Sequence, residues 1–81
     1  MDFGEAIKAL VDGKFVTRDN EFWEGSYVAL ITPEGSAEIC HLKGKGDFIL
    51  YPFFVIKTVY GNAVVWTPNT GDVLAQDWKI V

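Results

Sequence analysis

Cysteine and histidine each occur once, as Cys40 and His41. One cysteine excludes an internal disulfide, and these two residues fall well short of the ligand set that closes a structural zinc site. No apolar run approaches the roughly 20 residues of a membrane-spanning helix. The longest, Phe48 to Ile56, is cut by Pro52 and suits a strand. Basic charge is scarce as well: seven Lys and Arg against eleven Asp and Glu leave a net charge of -4. Proteins that grip DNA or RNA backbones carry a basic footprint, so neither duplex nucleic acid nor a membrane is the expected partner. The first residues lack the basic-then-apolar pattern of a secretory leader, and a lone thiol suits a reducing compartment. The expected location is the cytoplasm.

What the chain has in quantity is apolar surface. Its 81 residues suffice for one domain, spanning 1–81, and 49% of them are apolar and 15% aromatic. A domain this small buries only about 60% of the surface its unfolded chain exposes. Disulfides, metals or association usually make up the deficit. With the first two excluded, association with other copies is expected, through apolar surface the small core cannot absorb.

Along the chain, Asp2 to Val11 reads as a helix. Asp2 is placed as N-cap, with Glu5 three residues on completing a capping box. Phe3, Ile7, Leu10 and Val11 recur at helical spacing as the buried stripe, and Gly13 is the left-handed stop. Strands and turns follow. Phe15 to Arg18 is a strand, Asp19 to Gly25 a polar loop with two aromatics, and Tyr27 to Thr32 a strand. Pro33-Glu34-Gly35-Ser36 signals a turn that returns the chain as the hairpin arm Ala37 to Leu42. Lys43 to Asp47 is a connection, and Phe48 to Val59 a long β-rich stretch with Pro52 at an edge or bulge. Gly61-Asn62 marks a tight hairpin into Ala63 to Trp66. Pro68 to Gly71 is a loop, Asp72 to Ala75 a helical turn, and Trp78 to Val81 a last strand. The expected fold class is α+β, one N-terminal helix packed on a mostly antiparallel sheet. The sheet face turned away from the helix is where subunit contact is expected.

Catalytic constellations are scarce. Cys40 and His41 are neighbours in a strand, so their side chains point to opposite faces and form no nucleophile–base pair within one chain. Lys43-Gly44-Lys45-Gly46 lacks the spacing of a phosphate loop and is followed by Asp47 instead of Ser or Thr; it reads as a solvated hairpin loop. The acids show no metal or glycosidase spacing. Asp72 and Asp77 are able to meet, although Asp72 serves equally well as a helix N-cap. No enzyme, cofactor or metal is expected. The aromatics carry more: Phe22 and Trp23 lie in a polar loop, and Trp66 stands just before Pro68-Asn69-Thr70-Gly71. Rings in such places stack on nucleobases, at about 1–3 kcal/mol per base. Asn69 and Thr70 offer hydrogen bonds, and Arg18 and Lys57 can meet a phosphate, Arg in a forked geometry. The competing reading makes Trp66 and Trp78 hydrophobic anchors.

Two stretches taken together carry a resemblance. Phe3-Gly4-Glu5-Ala6-Ile7-Lys8-Ala9-Leu10, then Gly13-Lys14 and Val16-Thr17-Arg18 leading to Trp23, form the first. Trp66-Thr67-Pro68-Asn69-Thr70-Gly71-Asp72-Val73-Leu74-Ala75-Gln76-Asp77-Trp78 form the second, with Pro52 to Thr58 between them as a central strand. The ordered set, from Phe3 to Val81, resembles the phage family of Thoeris anti-defence sponges of the second type. The resemblance implies a non-enzymatic sponge for a cyclic nucleotide immune signal, a cyclic ADP-ribose isomer or a cyclic dinucleotide. It also implies a homotetramer with ligand pockets between protomers. By position, Arg18, Trp23, Lys57, Trp66, Asn69, Thr70 and Asp72 are the implied ligand-binding residues. The alternative is a structural or protein-interaction module using an exposed aromatic face. Departures from the family pattern fall at Phe22-Trp23, at Asn69-Thr70-Gly71 and in the longer segment 33–47, all loops that would shape a pocket.

Overall fold

A computed structural model describes residues 1–32, 39–42, 46–49 and 52–81, with backbone alone for 39–42 and 46–49. Helix α1 spans Phe3–Val11. The Glu5 amide donates to Asp2 Oδ1 at 2.8 Å and the Asp2 amide to Glu5 Oε1 at 3.1 Å, which is the reciprocal cap expected from their spacing. Gly13, at φ 86°, follows the helix in the left-handed region. Ala6, Ala9 and Leu10 form the buried stripe, with Phe3 and Ile7 half-buried beside them. Val11, expected in that stripe, is 65% exposed. It ends the helix, and Ala6 and Ala9 are buried against the core in its place.

The strands are β1 (Val16–Arg18), β2 (Tyr27–Ile31), β3 (Ile39–Leu42), β4 (Gly46–Ile49), β5 (Phe53–Lys57), β6 (Ala63–Val65) and β7 (Trp78–Ile80). A 3-10 turn covers Glu21–Trp23, and a short helix α2 covers Thr70–Leu74. An antiparallel five-stranded sheet runs β6-β5-β2-β1-β7, and β3-β4 form a separate pair. The fold is α+β, one N-terminal helix on an antiparallel sheet.

One expected pairing and one expected strand are corrected. β2 does not form a hairpin with the 37–42 arm. Its two edges are taken by β1 and by β5, the latter in register from Tyr27↔Lys57 to Ile31↔Phe53, and β3 pairs with β4 instead. The stretch from Phe48 to Val59 is not one strand either. Pro52 separates β4 from β5, and the two halves join different sheets. Gly46 and Asp47, expected in a connection, lie in β4. The turn at 33–36 and residues 43–45 lie outside the described residues. A hairpin is present at Gly61-Asn62 but is wider than the tight turn expected: Lys57 faces Ala63, so Val59 and Tyr60 fall in the loop, with Gly61 at φ 90° and a Thr58 amide to Asn62 carbonyl bond of 2.8 Å closing it.

Alternation along the strands sorts the sheet into two faces. Val16, Val28 and Trp78 are buried with the α1 stripe, and Leu30, Phe54, Ile56 and Trp66 pack against that core. The antiparallel registers align the residues of the far face in transverse rows. One row is Lys79, Thr17, Tyr27, Lys57 and Ala63. The next, Val81, Phe15, Ala29, Val55 and Val65, is apolar throughout, and Ile31 and Phe53 lie beyond it.

Candidate functional site

Arg18 ends β1 half-buried, between two carboxylates. Its Nε donates to Asp77 Oδ1 at 2.9 Å and its Nη1 to Asp72 Oδ1 at 3.2 Å. The hydrogen bond to Asp77 holds the guanidinium above its ordinary value, and the same bond holds the Asp77 carboxyl below its own. Asn20 Nδ2 reaches the other Asp77 oxygen at 3.4 Å. One cation between two carboxylates leaves the cluster net negative.

Asp72 is 4% exposed. Its Oδ2 accepts the Asn69 amide at 3.0 Å, while Asn69 Oδ1 accepts the Asp72 amide at 2.8 Å. Asn69 is therefore the N-cap of α2 and Asp72 its third residue, which corrects the reading of Asp72 as the cap itself. The Asp72 carbonyl accepts Trp78 Nε1–H at 3.0 Å. Arg18, Asn69, Asp72 and Asp77 thus form one network that ties β1 to the segment from α2 to β7.

The indoles gather next to it. Asn20 Oδ1 accepts the Phe22 and Trp23 amides at 2.9 and 3.2 Å, setting the 3-10 turn that places Trp23. Trp23 meets Trp78 and Trp66 with ring centroids 5.3 and 6.3 Å apart, and Trp66 meets Trp78 at 6.0 Å, all edge to face. Phe54 adds a fourth ring against Trp66 at 6.1 Å.

A groove of about 800 Å³ opens beside this cluster, lined by Thr17, Arg18, Trp23, Glu24, Tyr27 and Lys79 among others. That volume lies within the ~300–1,000 Å³ of small-molecule sites. Of the residues expected at a site, the groove takes Arg18 and Trp23 into its lining. Trp66, Asn69 and Asp72 do not line it; they connect to it through Trp23 and Arg18. Thr70 opens α2 at the surface. Lys57 lies apart from the groove lining on the far face, its Nζ 5.9 Å from the Tyr27 ring centroid. Thr17, Tyr27 and Lys79 were missed by sequence reasoning. Only the strand registers reveal them as one row. Cys40 and His41 lie in β3, and their side chains are outside the description. Among the described residues no group of three or more His, Cys, Asp or Glu side chains could hold a metal ion, and no helix is long and apolar enough to cross a membrane.

The architecture defines a small α+β domain with a recessed surface beside the β1–β2 connection, lined mostly by polar residues and bordered by the rings of Trp23 and Tyr27. The Thoeris anti-defense 2-like domain model matches residues 1–81, and the chain belongs to that family. It is 36% identical over 86 residues to the Thoeris anti-defense 2 protein of Bacillus phage SP01, covering all of this chain and 94% of that protein.

Proposed function

We propose that this protein counters Thoeris defence as a sponge: it binds a cyclic nucleotide signal and holds it without turning it over. The observation that carries this reading is family membership across the whole chain. The groove, of nucleotide-accommodating size and bordered by Trp23 and Tyr27, supports it. A sponge works by stoichiometry. It must outbind the signal's receptor, and each 1.4 kcal/mol of advantage is about tenfold in affinity. A groove whose walls are already fixed, as the Arg18–Asp72–Asp77 network fixes this one, keeps the ordering cost of binding low.

Self-association belongs to the same proposal. The apolar rows of the far face, with Phe15, Ile31 and Val65 exposed and Phe53 and Val55 half-buried, give a surface for a second copy. A homotetramer with pockets between protomers is the assembly we propose, in the cytoplasm of the infected cell. These same rows favour the second reading, a protein-interaction module that uses this face on another partner.

Melting curves against cyclic ADP-ribose isomers, ADP-ribose, NAD and cyclic dinucleotides separate the readings. A large upward shift with one cyclic compound is expected, since tight binding to the folded state stabilises it by mass action. Heating the complex should then release the ligand unaltered. An altered product would convert the reading to an enzyme, and no shift with any compound would favour the interaction module.

A further inference from the structure

We propose that the transverse row Lys79–Thr17–Tyr27–Lys57 on the far face is the seat of an anionic group, a pyrophosphate or similar, belonging to a ring-bearing ligand. This rests on the nucleotide reading above and deepens it by naming the two lysines that meet the charge; Thr17 between them is buried and donates its hydroxyl to the Ser26 carbonyl at 2.7 Å. The row follows from the registers: Lys79 faces Thr17 across β7 and β1, and Lys57 faces Tyr27 across β5 and β2. One step along the β1–β2 ladder from Val16↔Val28 brings Thr17 beside Tyr27. Adjacent strands lie about 4.8 Å apart, so the two lysine backbones are roughly 14 Å apart. Their long stems let both ammonium groups lean over the ring between them. Lys57 already does so, its Nζ lying 5.9 Å from the Tyr27 centroid. Phe15 stacks on Tyr27, centroids 5.2 Å apart and planes 28° apart, which backs the floor of the row. Thr17, Tyr27 and Lys79 also line the groove, so the row and the groove are continuous.

Of the two cations that sequence reasoning offers a phosphate, Arg18 and Lys57, Arg18 is committed elsewhere. Its Nε and Nη1 serve Asp77 and Asp72, and the cluster it belongs to is net negative. Glu21 and Glu24 stand on the wall of the groove formed by the 3-10 turn. An anion is repelled from that wall and drawn to the lysine row. The uncharged ring portion of the ligand is left for the side nearer Trp23. Asp19 completes the device. Its carboxylate holds Lys79 Nζ at 3.3 Å, with side-chain exposures of 73% and 55%. An ion pair that open is weak, so an incoming phosphate can replace the carboxylate.

The test uses inorganic pyrophosphate as the probe, read by amide chemical shifts of the full chain and by calorimetry. Shifts should concentrate at Thr17, Tyr27, Lys57 and Lys79. The Lys57→Gln/Lys79→Gln double variant should bind at least tenfold more weakly, and Asp19→Asn several-fold more tightly, with melting temperatures close to the parent's because all three side chains are exposed. The proposal is overturned by equal pyrophosphate affinity in the double variant, by shifts centred on Asn69–Asp72, or by no binding at millimolar probe. Failure of the two readings is distinguishable. Nucleotide binding that survives in the double variant overturns the lysine row and leaves the sponge. Pyrophosphate shifts on the row, with no nucleotide bound by the parent, leave the row and overturn the sponge.

Discussion

Arg18 and Asp72 lie 54 positions apart in sequence and meet at 3.2 Å, with side-chain exposures of 21% and 6%. The contact fastens the end of β1 to the first turn of α2. Breaking a buried ion pair from one side strands the other charge, at roughly 3–5 kcal/mol. Arg18→Met, which retains much of the stem, should destabilise by an amount near the lower end, about 3 kcal/mol, because the guanidinium keeps some water. Urea unfolding measures this. Adding Asp72→Asn should recover part of the loss, and a double variant no more stable than Arg18→Met would show that the stranded carboxylate is not the cause.

The Arg18 hydrogen bond also gives the acid limb a direction. It holds the Asp77 carboxyl below its ordinary value in the folded state. A depressed folded value means that the stabilisation is complete above the unfolded carboxyl range and is lost as pH falls through the folded value. Stability should therefore decline below about pH 4. In Asp77→Asn, melting temperature should start lower at neutral pH and fall less steeply over that window. Parallel profiles in the two proteins would contradict the assignment.

Gly25 sits at φ 80°, and a Cβ placed there would lie 2.9 Å from Val59 Cγ2 and 3.2 Å from Val59 Cβ. The loop after β1 and the β5–β6 turn therefore touch where only glycine fits. Gly25→Ala should cost about 1–3 kcal/mol from the backbone conformation alone, with the steric clash in addition. Val59→Ala in the same chain should relieve the 2.9 Å contact with Cγ2, leaving the 3.2 Å contact with Cβ and the backbone part. Thermal denaturation of the single and double variants would separate the relieved part from the rest; no rescue would mean that the Cγ2 clash relaxes without cost.

Trp78 and Trp66 differ in depth, and their truncations should differ accordingly. Trp78 is 2% exposed and donates its indole N–H to the Asp72 carbonyl. Trp78→Ala should lose about 3–5 kcal/mol, enough to unfold many small domains. Trp66 is half-buried, against Trp23, Trp78 and Phe54. Trp66→Ala should remain folded but less stable, and should weaken nucleotide binding by loosening Trp23. If it binds nucleotide as the parent does, Trp66 is an anchor and no more.

Local signals in this sequence carried further than long-range ones. The Asp2–Glu5 cap, the Gly13 stop and the Gly61 turn are decided within a few residues, and the position of each was legible from residue type and spacing. The β2–β5 pairing was not. It depends on which of two edges a strand meets first in space, and the turn signal at Pro33 to Ser36 pointed to the nearer neighbour in sequence. Of the residues expected at a ligand site, Arg18, Trp23, Trp66, Asn69 and Asp72 lie in one connected cluster of the fold, while Lys57 lies on the far face of the sheet. Partners within the cluster were harder to see, because Asp77 reaches Arg18 across 59 positions. Asn69 and Asp72 illustrate the remaining ambiguity: both residue types cap helices, and only the backbone decides which of them is the cap.

The chain has three tryptophans, and Trp23, Trp66 and Trp78 are all within one contact cluster. Its intrinsic fluorescence therefore comes from a single location, where the loop after β1, the end of the β5–β6 hairpin and the last strand converge. Indoles this close share excitation, so emission and near-ultraviolet circular dichroism behave as properties of the trio and not of separate residues. A ligand that enters the groove and shifts Trp23 should change the optical signal of all three together. A second copy docking on the rows around Phe53 and Ile31 should leave that signal largely untouched, so the molecule contains an optical means of telling ligand capture from assembly.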